Sequence, residues 1–131
     1  LPLLRGISVL LVEDDPINQA ALEEILFDDG ARVVLAENGA VAVDRVRNGG
    51  AVSFDIVLMD LQLPEMDGFE ATRQIHEIDP TLPVVAQSAH AFSEERERCL
   101  AAGMVAHVAK PIDPDALVQV VVAHARKKAA T

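Results

Sequence analysis

The chain has no tryptophan, no tyrosine and only four phenylalanines among its 131 residues, yet half of it is hydrophobic. An aromatic core is therefore excluded, and the interior must be built from Val, Leu, Ile and Ala. There is one cysteine, Cys99, so no internal disulfide can form; this fits a reducing compartment without requiring one. No apolar run approaches the roughly 18 residues of a membrane span. Leu1-Pro-Leu-Leu4 is too short for the apolar segment of a signal peptide and runs directly into Arg5-Gly6. Positive charge is also scarce. Eleven Lys and Arg face twenty-one Asp and Glu, a net charge of −10. That balance argues against a nucleic-acid surface and favours attraction of cations. The only basic run, Arg126-Lys127-Lys128, falls near the end of an expected helix, where cations offset the macrodipole. The chain does not begin with Met, as expected of a piece of a longer protein.

What the chain does have is alternation. Short runs of Val, Ile, Leu and Ala at 7–12, 32–36, 55–59, 84–88 and 105–109 read as buried strands. Helical patterns follow at about 16–28, 39–48, 68–77, 93–103 and from 114. Asp15 before Pro16, Ser93 before Glu94-Glu95, and Asp113 before Pro114 read as helix caps. Gly30, Gly49-Gly50 and Gly103 read as terminators, and Asp67-Gly68 as a turn, with Glu65 and Met66 before it on the loop surface. There is no repeat, linker or low-complexity segment. Five βα units in 131 residues imply one α/β domain, with its core at about 6–126. Its parallel sheet would be doubly wound, and the common order for five strands is 2-1-3-4-5.

The informative positions are the ends of the apolar runs. The first strand runs into Glu13-Asp14-Asp15, the third into Asp60, the fourth into Ser88 and the fifth into Lys110-Pro111. In a parallel sheet these residues converge on the crevice outside the strands' carboxyl ends, where open α/β sheets bind ligands. Carboxylates crowded together repel unless a hard cation or a lysine sits among them. Asp15 is better used as the cap of the first helix than as a third carboxylate of the cluster.

Four segments in this order carry a resemblance: Leu11-Val-Glu-Asp-Asp-Pro-Ile-Asn-Gln19, Leu58-Met-Asp-Leu-Gln-Leu-Pro-Glu-Met-Asp-Gly68, Ala86-Gln-Ser-Ala-His-Ala91, and Ala102-Gly-Met104 with Lys110-Pro111-Ile112. Together they resemble the receiver domain of two-component response regulators over essentially the whole chain, most closely receivers fused to hybrid sensor histidine kinases. The resemblance implies a flavodoxin-like receiver fold and a phosphoacceptor at Asp60. It implies Mg²⁺, with Mn²⁺ as a substitute, held by Glu13, Asp14, Asp60 and the backbone carbonyl of Gln62. It gives Lys110 and Ser88 catalytic roles at the phosphoryl group, and it suggests a cis Lys110-Pro111 bond. The reaction would be a self-catalysed phosphorylation and dephosphorylation of the aspartate, within a histidine kinase polypeptide. The phosphoryl donor would be a histidine kinase or histidine phosphotransfer domain. The domain would lie in the cytoplasm without membrane contact of its own, under a parent that can be membrane-anchored.

Ser88 would couple phosphorylation to a switch residue. At the position where the family commonly has an aromatic, this chain has His107, a smaller ring that titrates near neutrality. Ile17, Asn18, Ala21, Pro111 and Ile112 are the expected docking residues for the donor. The alternatives are that Ile17 staples the first helix and Ala21 is core. Val118, Val120, Val121 and Val122 cannot all face one side of the last helix, so a weak dimer through that helix is a rival use of apolar surface. Among other functions, a phosphorylation-independent docking module with a receiver fold is the runner-up; retention of Glu13, Asp14, Asp60, Ser88 and Lys110 argues against it. A haloacid-dehalogenase-type phosphohydrolase needs a second Asp two residues after the nucleophile, where this chain has Gln62. An FMN carrier needs a hydroxyl-rich phosphate loop after the first strand, where this chain is acidic.

Overall fold

Period-two alternation determines which way each strand's side chains point, and the five strands use it on both faces. The computed structural model describes residues 2–49, 54–89 and 93–127. The strands are β1 (Ser8–Val12), β2 (Arg32–Ala36), β3 (Ile56–Asp60), β4 (Val84–Ser88) and β5 (Ala106–Ala109). All neighbours are parallel, in the order β2-β1-β3-β4-β5. The helices are α1 (Pro16–Asp28), α2 (Gly39–Arg47), α3 (Gly68–Ile78), α4 (Ser93–Ala101) and α5 (Pro114–His124). This is the doubly wound flavodoxin-like arrangement expected from the alternation. The boundaries shift by a residue or two, as frayed ends do. One shift matters. Asp60 is itself the last residue of β3, paired in register with Gln87 of β4.

Leu10, Val57, Met59, Val84 and Ala86 point to one face, where they pack with Ala42 of α2, Ile75 of α3 and Cys99 of α4. Val9, Leu11, Ile56, Leu58 and Val85 point to the other, against Leu22 and Leu26 of α1 and Leu117 and Val121 of α5. All of these side chains are buried. Burying each large aliphatic contributes about 1.5–3 kcal/mol, so the sheet is held by many such contacts rather than by aromatic anchors.

Local signals place the helix starts. Asp15 accepts from the Ile17 amide at 2.9 Å, and Asn38 accepts from the Val41 amide at 2.8 Å. Asp67, expected as a turn residue, is the N-cap of α3 and accepts from the Glu70 amide at 2.9 Å. Gly68 behind it is needed for close approach: a Cβ there would lie 2.6 Å from the Asp60 carbonyl oxygen. Gly103, at φ +90, lies just past α4 and leads the chain toward β5. Asp113 occupies the N-cap position of α5 but makes no side-chain capping bond, so the expected cap there is positional only. The side chain of Ser93 lies outside the described residues.

Two further expectations are corrected. Met66, expected on the loop surface, packs against the core below α2, because its sulfur fills the space left by Gly39. Arg126 is not a solvated cation at a helix end. Its guanidinium donates to the Phe54 carbonyl, to both carboxylate oxygens of Asp79 and to the Thr81 hydroxyl, tying the end of α5 to the start of β3 and the α3–β4 turn. Of the α5 valines, Val118 and Val121 are buried, Val120 is half-buried against the core, and Val122 is left 50% exposed. No helix among the described residues is long and apolar enough to cross a membrane.

Candidate functional site

The sheet order puts β1 and β3 side by side, and their chains diverge at the top toward α1 and α3. Glu13 and Asp60 emerge into that gap. Both are buried, at 1% and 2% exposure, whereas Asp14 is exposed. One carboxylate oxygen from each of the three lies within 4.8 Å of the other two. Lys110 reaches in from the end of β5 across β4. Its ammonium is 3.1 Å from Asp60 Oδ2 and 3.7 Å from Glu13 Oε1. The other Asp60 oxygen accepts from the Gln62 backbone amide at 2.9 Å. Asp60 is thus held at both oxygens before any chemistry. The Lys110-Pro111 bond is cis, as the resemblance implied.

The two carboxylates nearest Lys110 are not equivalent. Burial, and then the neighbouring Asp60 carboxylate, push the Glu13 carboxyl up to about 7, against smaller opposing pulls from Lys110 and Asn18. Glu13 Oε1 is buried and has no hydrogen-bond partner. Such an orphaned acceptor, between a second buried carboxylate and an exposed one, matches what a hard divalent cation accepts: a few carboxylate oxygens with positions left for water and phosphate. The residues present therefore fit Mg²⁺ through Glu13, Asp14 and Asp60. Gln62 is adjacent through its backbone, bonded to Asp60 by its amide.

Ser88 ends β4 beside this group, and its hydroxyl donates to the Glu95 carboxylate of α4. That partner was not foreseen; it brings α4 into the crevice wall. His107 sits on β5 opposite Ala86, half-buried, with Nε2 buried and without a hydrogen bond. His90 lies outside the described residues. Ile17 is 79% exposed, and Asn18, Ala21 and Pro111 are exposed beside it, with Ile112 half-buried. Neither the staple nor the core alternative for Ile17 and Ala21 holds, since both side chains face out.

Gln87 is the functional-region residue that sequence reasoning missed. It is fully buried, and neither end of its carboxamide has a hydrogen-bond partner. Its signal was there in the sequence: a long polar side chain where the apolar run of β4 gives way to Ser88.

Comparison with known proteins agrees with this geometry. The family model for the response regulator receiver domain matches residues 9–122. The sensor protein GacS of Pseudomonas syringae pv. syringae is 41% identical over 122 residues, covering 89% of this chain but 13% of GacS. The chain therefore spans about an eighth of such relatives. The solved receiver domain of the sensor histidine kinase PA1611 from Pseudomonas aeruginosa PAO1, which has a magnesium ion coordinated in its active-site cleft, is 37% identical. It superposes with a TM-score of 0.78 over 91% of this chain and 97% of that one. The receiver domain of Ssk1 from Saccharomyces cerevisiae, solved with the histidine phosphotransfer protein Ypd1, is 30% identical. Its TM-score is 0.85 over 93% of this chain and 90% of that one. A buried strand-end aspartate held by a lysine, an acidic cluster beside it and a family match over 9–122 lead to one conclusion: the chain belongs to the response regulator receiver domain family.

Proposed function

We propose that this domain takes a phosphoryl group from a phosphohistidine onto Asp60 and changes conformation as a result. The observation that carries this reading is the environment of Asp60: buried, bonded at one oxygen by Lys110 and at the other by the Gln62 amide, with Glu13 and Asp14 alongside. A carboxylate is a weak nucleophile toward an anionic donor, so the site must supply charge and position rather than covalent chemistry. In the transfer, an Asp60 oxygen forms a bond to phosphorus while the phosphorus–imidazole nitrogen bond breaks and its electron pair returns to the ring. Lys110 exchanges its contact with Asp60 for a phosphoryl oxygen, and the Ser88 hydroxyl contacts a second one. Mg²⁺ held by Glu13, Asp14, Asp60 and the Gln62 carbonyl supplies the positive charge that offsets crowding of the carboxylates and phosphate; Mn²⁺ would do the same.

The donor, a histidine kinase or histidine phosphotransfer domain, docks on Ile17, Asn18, Ala21, Pro111 and Ile112 at the crevice mouth. Support comes from their exposure and from the Ssk1 receiver having been solved bound to a phosphotransfer protein. The coverage of GacS-like kinases favours a hybrid kinase as parent. Intact mass after incubation with acetyl phosphate and Mg²⁺ tests the proposal. One phosphoryl group should be gained, lost in Asp60→Asn and lost when the metal is chelated. Equal gain by Asp60→Asn refutes the assignment, and no gain by the unaltered chain returns the domain to a phosphorylation-independent docking role.

A further inference from the structure

Period-two alternation along β4 turns Val84, Ala86 and then Ser88 toward the sheet face covered by α3 and α4. There the Ser88 hydroxyl donates to the Glu95 carboxylate. Ser88 is buried and its backbone is pinned. Its carbonyl accepts from the Lys110 amide at 2.7 Å, and the Gln87 carbonyl before it accepts from the Leu61 amide at 3.1 Å. The hydroxyl can therefore change partner by rotation of its side chain, without a shift of the strand.

Helical spacing puts Glu95 on one stripe of α4 with Arg98 and Cys99, three and four residues on. That stripe faces inward. Cys99 is buried in the core, and the Arg98 guanidinium lies 4.3 Å from the centre of the Phe69 ring of α3. An apolar side chain at 95 would extend the same contact; a carboxylate stands there instead. Among the described residues of α4, Cys99 alone is buried, so the helix has few apolar anchors. Its first turn is tied to the sheet through Glu95 and Ser88, a hydroxyl beside the phosphoacceptor.

We propose that Glu95 is a positioning residue for the transfer: it holds the Ser88 hydroxyl in the resting domain, and the phosphoryl group must displace it, which releases the first turn of α4. This rests on the phosphoacceptor reading of Asp60 given above. A serine hydroxyl has one proton to donate. It serves the Glu95 carboxylate or a phosphoryl oxygen, not both. The two acceptors are both anionic, so the arriving phosphoryl group also repels Glu95. The bond to Glu95 thus slows phosphorylation, and its rupture passes the event to a weakly anchored helix.

The test is a double-mutant cycle on the rate of Asp60 phosphorylation by acetyl phosphate and Mg²⁺. In that reaction an Asp60 oxygen bonds to phosphorus, and acetate leaves with the electron pair of its own bond to phosphorus. Glu95→Ala should speed it about five- to tenfold, the effect of a charge-assisted hydrogen bond that no longer has to be broken. Glu95→Gln, which keeps an acceptor oxygen without the charge, should fall between. In a Ser88→Ala background, Glu95→Ala should change nothing. Hydrogen exchange at the amides of residues 97–99 should quicken when beryllofluoride and Mg²⁺ occupy the parent, and already in resting Glu95→Ala. An equal acceleration in the Ser88→Ala background assigns the effect to lost negative charge and overturns the proposal. So does unchanged exchange at these amides in both states. If the parent is phosphorylated and Glu95→Ala only matches its rate, this proposal falls and the phosphoacceptor reading stands; if the parent takes up no phosphoryl group, both fall.

Discussion

Replacing Glu13 with Gln should stabilise the metal-free domain, and only above a definite pH. Glu13 is 1% exposed and its carboxyl is raised from 4.5 to about 7 by burial and by Asp60. A carboxyl whose folded pKa lies above its unfolded value holds an extra proton in the folded state. Its contribution to stability is intact below about 4.5, declines as the pH rises through the window to about 7, and is fully lost above that. At about 1.4 kcal/mol per unit, the charged group costs the fold on the order of 3 kcal/mol at pH 8. Glu13→Gln removes the charge but retains an oxygen to accept the Asp14 amide, now 3.0 Å from Glu13 Oε2. Lys110 keeps its 3.1 Å contact with Asp60. We therefore expect a gain of about 2 kcal/mol at pH 8 in EDTA, or about 5–10 °C in Tm for a domain of this size. The gain should vanish near pH 4.5. Excess Mg²⁺ should shrink or reverse it, because the metal stabilises the parent by mass action. Thermal melts of both proteins at several pH values decide the matter. A variant no more stable than the parent at pH 8, or a gain that does not change with pH, refutes the claim that this carboxylate is held at a cost.

Arg126→Ala should destabilise the fold by about 1–3 kcal/mol, because it strips two acceptors on Asp79 and the Phe54 carbonyl of a partly buried donor. Since Arg126 holds the Asp79 carboxyl below its usual value, that stabilisation is present above about pH 4 and lost as the pH falls through the lowered pKa. Urea melts should show the penalty shrinking in acid, and a pH-independent penalty would assign it to packing alone. Ile17→Glu should leave stability within about 0.5 kcal/mol while slowing transfer from a phosphohistidine protein donor and sparing acetyl phosphate. Val122→Glu, at the exposed valine of α5, is the control, and if it alone impairs transfer the docking surface is misplaced. The imidazole of His107 should change its NMR signals when beryllofluoride occupies Asp60, and an unchanged ring while Ser88 responds would remove it from the switch.

The sheet and the catalytic group were legible for the same reason. A buried parallel strand is a short apolar run, and the residue that ends it must appear at the sheet's carboxyl edge. Hence Glu13, Asp60, Ser88 and Lys110 could be brought together on paper from four separate places in the chain. Caps such as Asp15 and Asn38 were local, with partners two or three residues away. What escaped was whatever long side chains do across the fold. Glu95 meets Ser88 only because α4 packs against the end of β4, and Arg126 finds Asp79 and Phe54 only because α5 returns beside β3. Met66 looked like loop until the gap over Gly39 was known.

Gln87 escaped for a different reason: an apolar run tolerates one polar residue in any pattern count, yet burial makes that residue the informative one. Its place in the sheet shows why. Lys110, just past the end of β5, must cross β4 to reach Asp60 on β3, and the β4 residue level with Asp60 is Gln87. An aliphatic side chain there would pack beneath the lysine stem without polar cost. A carboxamide forgoes that and buries a donor and an acceptor, neither with a hydrogen-bond partner, beside the charged site. The fold bears a similar burden at Glu13 Oε1, which accepts no hydrogen bond and has the Lys110 ammonium only at 3.7 Å. Among the described residues, Glu13, Gln87 and His107 bury a side-chain polar atom without a hydrogen bond, and the first two lie beside Lys110 and Asp60.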